Sequence, residues 1–315
     1  MNVGENLQVV LLNQTPSLFL VLNAQVRNEV FYLSKANKKR STMKVFISAD
    51  MEGISGITHA EHVLRSGKEH ERARKLMTEE VNAAVEGAFE AGARKIVVND
   101  SHGTMKNIIP EELHEDAELI TGSPKPMFMM EGLDASFNAV FFIGYHGMRG
   151  AYPSILEHTY SSRVVYNISI NDRLVGETGI NAAIAGYYGV PISLVTGDQK
   201  LIEEARTFLG KVETVVVKKA VGRTAARCLS PVKARQLIKK GAIKALKQIG
   251  NLTLFKMKPP INLEVAFINP GMAEMAALVP SSKHINGRTI SFSSEDMIEV
   301  YKAFLAMITL AGTTV

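Results

Sequence analysis

Cysteine is nearly missing from this sequence. Cys228 is the only one in 315 residues, which excludes an intrachain disulfide and a thiolate metal cluster and suits a reducing cytoplasm. In RTAARCLSP it stands just before an expected helix start and reads as a small packing residue rather than a nucleophile. Several mechanism-bearing patterns are missing too. There is no G-x-G-x-x-G after a strand, no Walker A loop, no G-x-S-x-G elbow and no H-E-x-x-H helix. Dinucleotide, P-loop, serine-hydrolase and zincin chemistries therefore lose their main support. No internal repeat or low-complexity tract is present. The most apolar stretch, residues 8–26, is broken by Asn13, Gln14, Pro16 and Asn23 and has no basic segment before it, so it reads as neither a signal peptide nor a membrane span.

Charge excludes more than it suggests. The formal net charge is +5, but residues 1–42 hold Arg27, Lys35, Lys38, Lys39 and Arg40 against Glu5 and Glu29, which is +3 and leaves +2 for the rest. A pI near 9.1 thus carries no argument for nucleic acid, and the arginine and aromatic interleaving of single-strand binders is absent. Lys239, Lys240, Lys244 and Lys247 lie on one expected helix and read as a solvated face rather than a phosphate site.

What is present is a large apolar fraction, 46%, enough to bury a sizeable core. Lys38-Lys39-Arg40-Ser41-Thr42 reads as a linker, and MKVFISAD from Met43 reads as the first strand. Residues 1–42 are expected to be a dispensable extension, as from a mis-set start codon. From Met43 strands and helices alternate: a strand at 44–49, a helix at 71–91 with Met77, Val81, Ala84, Val85 and Ala88 at helical spacing, and strands at 95–99, 118–121 and 139–144. This pattern predicts an α/β fold, a mainly parallel sheet with helices on both faces, over residues 43–210 as a metal-binding catalytic domain. Residues 164–175 read as a hairpin turning at Asn171-Asp172-Arg173, followed by a helix from Glu177. Residues 211–315 read as a smaller α+β region, with Ser230-Pro231 capping a helix.

Functional side chains gather where the apolar runs stop. Asp50 and Glu52 in SADMEGISG, His102 in VVNDSHG and His146 in FFIGYHG follow expected strands, and Glu177 in VGETG opens a helix. Carboxyl ends of parallel strands are where sites assemble in open α/β sheets. On an extended strand Asp50 and Glu52 would point to the same side and repel unless a cation or protons intervene. Five nitrogen and oxygen donors are too many for one catalytic zinc but suit two ions sharing a carboxylate; two Zn²⁺ against three carboxylates and a hydroxide sum to zero charge. Manganese or cobalt would also fit, calcium poorly. His158 in ILEHTY closes an apolar step between His146 and the hairpin, and is the candidate for proton transfer or nucleophilic assistance. His59, His62, His70, His114 and His284 read as surface residues.

Residue types alone leave three readings open: a metal-dependent amidohydrolase, a two-metal phosphatase, and a metal-stabilised binding protein. The motifs ADMEGISG, VNDSHG, PMFMMEGLD, IGYHGM, LEHT and INDRLVGETGINA, in this order, resemble the D-aminopeptidases of the zinc metallopeptidase type, from about Met43 to the C-terminal helix. The resemblance implies a two-zinc site of Asp50, Glu52, His102, His146 and Glu177 with Asp50 bridging, His158 as the catalytic histidine, and a short peptide substrate with an N-terminal D-residue. It also implies a homo-oligomer, a decameric ring. No nucleic-acid or membrane partner is expected.

Overall fold

A computed structural model describes residues 42–315, so the extension expected over residues 1–42 lies, Thr42 apart, outside the described residues. The elements in chain order are β1 (Lys44–Ala49), α1 (Ala60–Val63), α2 (His70–Glu90), β2 (Lys95–Asp100), β3 (Ala117–Ile120), β4 (Ala139–Tyr145), β5 (Val165–Ile170), β6 (Arg173–Leu174), α3 (Glu177–Tyr187), β7 (Ile192–Asp198) and α4 (Gln199–Leu209). They continue with β8 (Glu213–Gly222), β9 (Ala225–Cys228), α5 (Pro231–Lys247), β10 (Ile261–Phe267), α6 (Pro270–Ala276), β11 (Lys283–Asn286), β12 (Thr289–Ser294) and α7 (Met297–Gly312).

One sheet runs β3-β2-β1-β4-β7-β8-β9, parallel throughout except for the β8–β9 pair. Its central strands are apolar on both faces because both are covered. Val45 and Ile47 of β1 face one core with α2 and α5, whereas Phe46 faces the other, shared with α3, α4 and α7. The α2–α5 contact is close at Gly87, where a Cβ would lie 2.4 Å from the Lys239 carbonyl oxygen. The lysine face of α5 is a solvated one, as its sequence suggests: Lys239 reaches Glu86 and Glu90 on α2, and Lys244 reaches Glu213.

A second, antiparallel sheet runs β11-β12-β10-β5-β6. Its β5–β6 hairpin turns where the sequence placed the turn, with Asn171 and Asp172 both at positive φ, a conformation these residue types tolerate better than others. The pairing of β5 with β10 joins Val165–Ile170 to a strand about a hundred residues further on. Thr42–Val315 cluster as one unit. The division expected at residue 210 falls between α4 and β8, and β8 pairs with β7 across it.

The strand order places the site. From β1 the chain steps to β2 and β3 on one side, then crosses to β4 on the other. The crevice at the carboxyl ends of β2, β1 and β4 is therefore the topological switch point, where an open α/β sheet offers room for ligands.

Candidate metal centre

Asp50 and His146 follow β1 and β4 directly, His102 follows β2 after Ser101, and Glu177 is the first residue of α3. All five candidate ligands are buried: Asp50 is 3% exposed, Glu52 4%, His102 8%, His146 3% and Glu177 5%. The reason differs from the sequence expectation for one pair. β1 ends at Ala49, so Asp50 and Glu52 sit in a turn rather than an extended strand. The turn holds itself against β4 through Asp50 N–H to the Ile143 carbonyl at 2.8 Å and Gly53 N–H to the Gly144 carbonyl at 2.7 Å. Only glycine fits at 53, because a Cβ there would lie 1.9 Å from the Tyr145 carbonyl oxygen.

The side chains converge as a ring of lone pairs. His102 Nδ1 lies 3.2 Å from Asp50 Oδ1 and 2.9 Å from Glu52 Oε2. His146 Nε2 lies 3.5 Å from Asp50 Oδ2 and 3.5 Å from Glu177 Oε2. The two Asp50 oxygens thus face opposite ways, one towards each histidine. His158 stands beside them, its Nε2 3.8 Å from Glu177 Oε1 and its ring stacked on His146 at 4.4 Å between centroids.

Backbone carbonyls decide which ring nitrogen of each histidine faces inward. His102 Nε2 donates to the Val63 carbonyl at 2.9 Å, His146 Nδ1 to the Gly147 carbonyl at 3.0 Å, and His158 Nδ1 to the Leu156 carbonyl at 2.9 Å. A carbonyl only accepts, so each of those nitrogens carries a hydrogen, and the other ring nitrogen is the one that faces the carboxylates and could offer its lone pair to a metal in place of a proton. Such outer partners are the usual means of orienting metal-ligating histidines. Glu177 is oriented likewise, its Oε1 accepting the Tyr160 N–H at 2.6 Å.

Three inward atoms have no hydrogen-bond partner: Asp50 Oδ2, Glu52 Oε2 and His146 Nε2. Burying unpaired polar atoms side by side is costly, and a cation among them removes the cost. The spacing fits a metal. Four ligands on ~2.1 Å arms in a tetrahedron stand ~3.4 Å apart, close to the two 3.5 Å separations at His146. Ligand atoms of Asp50, Glu52 and His146 lie within 4.8 Å of one another, as do those of His146, His158 and Glu177.

Proton affinities describe the same field. Burial, then repulsion from Glu52, pushes Asp50 up to about 7. Burial would raise Glu52 too, but the His102 charge outweighs it and holds Glu52 well below the usual carboxylate range. Burial opposes charging His102 and His146, yet Glu52 and Asp50 around the first, and Glu177 and Asp50 around the second, hold both well above an ordinary imidazole. His158 goes the other way, lowered by burial and then by the His146 charge. The pocket seeks positive charge at its centre and keeps His158 neutral at its edge.

Two histidines expected at the surface are buried instead. His62 is 8% exposed and His70 5%. His62 Nδ1 accepts the Thr58 and His59 N–H groups, its Nε2 lies 3.0 Å from Glu69, and His70 Nδ1 bonds the His62 carbonyl at 3.0 Å. These bonds fix the short α1 segment whose Val63 carbonyl orients His102.

Sequence reasoning also missed Glu204 on α4. It accepts the Met148 N–H at 2.8 Å, bracing the loop after His146, while its other oxygen is buried without a partner. Burial pushes its carboxyl up to about 7. The unfolded chain ionises near 4.5, so the native state binds the extra proton and this group's stabilising share is whole below pH 4.5 and lost as pH rises through 7. The difference corresponds to up to ~3 kcal/mol. Glu204→Gln is expected to flatten the fall of Tm between pH 5 and 8; a variant with the wild-type slope would place that titration elsewhere.

The family model described as D-aminopeptidase, peptidase M55, matches residues 43–306. The chain is 41% identical over 277 residues to a D-aminopeptidase of Bacillus subtilis (strain 168), covering 86% of this chain and 99% of that one. A solved structure, the Zn-dependent D-aminopeptidase DppA from Bacillus subtilis, titled a self-compartmentalizing protease, superposes with a TM-score of 0.83 at 39% identity over 86% of this chain and 98% of its own. With its fold matched and its whole span from Met43 to Ala306 inside the family model, the chain belongs to the M55 family of D-aminopeptidases.

Proposed function

We propose that this chain is a zinc-dependent aminopeptidase that removes the N-terminal residue, D-configured, from short peptides. The observation that carries the metal reading is the cluster of three buried, unpartnered atoms on Asp50, Glu52 and His146 at the switch point of the sheet. Asp50, Glu52, His102, His146 and Glu177 would hold the zinc, two ions per chain, and Asp50 would be the shared ligand, since its oxygens face His102 and His146, the two ligating histidines. Nitrogen and oxygen donors without thiolate suit that metal. Membership of the D-aminopeptidase family supports the substrate class and the stereochemical preference.

Bound zinc supplies Lewis acidity, lowering the pKa of water towards ~7 and drawing charge from the scissile carbonyl. The protein's share is orientation and proton handling. Glu177, held by the Tyr160 N–H, stays ionised because the His146 charge outweighs its burial. His158 keeps its Nδ1 hydrogen on the Leu156 carbonyl, so Nε2 is the atom that takes up a proton and passes it to the leaving amine. The chain is further proposed to work in the cytoplasm as a homo-oligomer, a decameric ring. The oligomer is supported by the self-compartmentalizing description of the Bacillus subtilis structure. No helix among the described residues is long and apolar enough to cross a membrane.

The test pairs metal analysis with substrates. Purified protein is expected to carry about two zincs per chain and to release p-nitroaniline from the D-alanyl but not the L-alanyl anilide, with release abolished by chelation and restored by zinc. Bound zinc with phosphate esters cleaved in place of amides would move the chemistry to phosphoryl transfer.

A further inference from the structure

Lys218 of β8 lies in the interior, 1% exposed, and its three partners are all backbone carbonyls. Its Nζ donates to the Glu52 carbonyl, to Ile54 at 2.8 Å and to Ile57 at 2.5 Å. Burying an ammonium is expensive, and methionine would fill the same space without that cost. The charge therefore needs a reason, and the metal-binding turn supplies it.

Residues 50–57 are irregular backbone, buried except at Gly56. Each of their polar groups needs a partner inside the protein. Six of the N–H groups have theirs: Asp50 and Gly53 on β4, Met51 on Asp50 Oδ1 at 2.8 Å, Ser55 on Glu80 Oε1 at 2.9 Å, and Ile54 and Ile57 within the turn. On the carbonyl side, Met51 is met by the Ile54 N–H and Ile54 by the Ile57 N–H, while Glu52 and Ile57, and Ile54 a second time, converge on the one ammonium. Three N–H bonds and three acceptors match in number. One of those acceptors belongs to Glu52 itself, so the ammonium sits one peptide unit from a side chain facing His102.

We propose that Lys218 is a positioning residue of the metal centre, its ammonium tying three carbonyls of the Asp50–Ile57 turn so that the Glu52 carboxylate is held in place for zinc. The inference rests on the metal reading above, but it concerns a residue that touches neither metal nor substrate. Without the ammonium the Glu52 and Ile57 carbonyls must turn towards other donors, Ile54 keeping only the Ile57 N–H, and the Glu52 side chain turns with them.

The experiment measures zinc affinity by competition with a chromophoric chelator, alongside the Tm of the metal-free protein, for wild type, Lys218→Met and Lys218→Gln. Partners that orient ligands typically set metal affinity by ~10–100-fold. Lys218→Met is expected to weaken zinc binding by that factor, and Lys218→Gln, with two donors left, by less. In a Glu52→Ala background the Lys218→Met effect should vanish, since the carboxylate it positions is gone. A purely structural lysine would lower the metal-free Tm and leave zinc affinity unchanged, and that result overturns the proposal. Should the methionine variant fail to fold, wild-type affinity in the glutamine variant does the same. A wild-type chain that takes up no zinc overturns the metal reading itself, whereas normal wild-type uptake with unaltered variants overturns only the role of Lys218.

Discussion

Asp50→Ala is expected to abolish zinc binding and activity together. Asp50 is the one candidate ligand whose two oxygens face the two candidate ligating histidines, Oδ1 towards His102 at 3.2 Å and Oδ2 towards His146 at 3.5 Å. Losing an end ligand such as Glu52 would weaken one half of the centre; losing Asp50 opens both. The remaining charges also cease to balance, because the carboxylate that separates the two imidazoles is gone. Elemental analysis of the purified variant should show under a tenth of the wild-type zinc, with hydrolysis at the chelated background. A variant with full zinc content would deny Asp50 its bridging place, and one with half would make it a ligand of a single ion. Folding should survive, since the backbone bonds that anchor the turn to Ile143 and Gly144 do not involve its side chain. Its Oδ1 does accept the Met51 N–H at 2.8 Å, which sets a modest stability cost of ~1 kcal/mol.

How far the site could be read from sequence depended on which forces placed each residue. Asp50, His102 and His146 were legible because apolar, β-branched runs end just before them, and parallel strands buried on both faces must be such runs. Glu177 was legible from the hairpin and helix around it. The local reason for Glu52 was not, since a turn that bends at Asp50 depends on the Gly53 and Gly144 backbones meeting from strands ninety residues apart. His62 and His70 looked exposed because their neighbours are charged. Their burial comes from Glu69 and from backbone groups that accept or donate to the rings, an arrangement no hydropathy pattern encodes. Lys218 and Glu204 were invisible for the same reason. A lysine in an alternating strand and a glutamate on an amphipathic helix read as surface residues until the fold turns them towards an irregular loop that needs hydrogen bonds.

The second large effect is expected at His158. Unlike the five ligands it is partly open, its side chain 17% exposed, and it borders the cluster instead of bridging it. Its ring is fixed by three neighbours: the Leu156 carbonyl at Nδ1, the parallel face of His146, and Glu177 beyond Nε2. The segment carrying it is bent, with Leu156 and Tyr160 on either side both at positive φ. Bulky side chains rarely adopt that conformation, and such strain persists where the surroundings enforce it, often at functional sites. Here the Tyr160 hydroxyl is bonded to Asn181 at 2.8 Å and Tyr301 at 3.1 Å, and its N–H to Glu177, so the bend is held at its Tyr160 end.

A general acid or base in this position contributes ~10²–10⁴-fold to turnover. His158→Ala is expected to lose that much in kcat while zinc content stays at the wild-type level and KM changes little. The pH profile supplies the sign. Burial and the neighbouring His146 charge lower the His158 pKa, so its neutral form persists to lower pH than a free imidazole, and the acidic limb of kcat/KM should fall below pH 6.5. In the alanine variant that limb should disappear along with the rate. Zinc lost in step with activity would instead make His158 a ligand, in line with its place among the His146, His158 and Glu177 donors. Retained zinc with an unchanged rate would leave proton transfer to Glu177, whose Oε1 lies 3.8 Å from His158 Nε2.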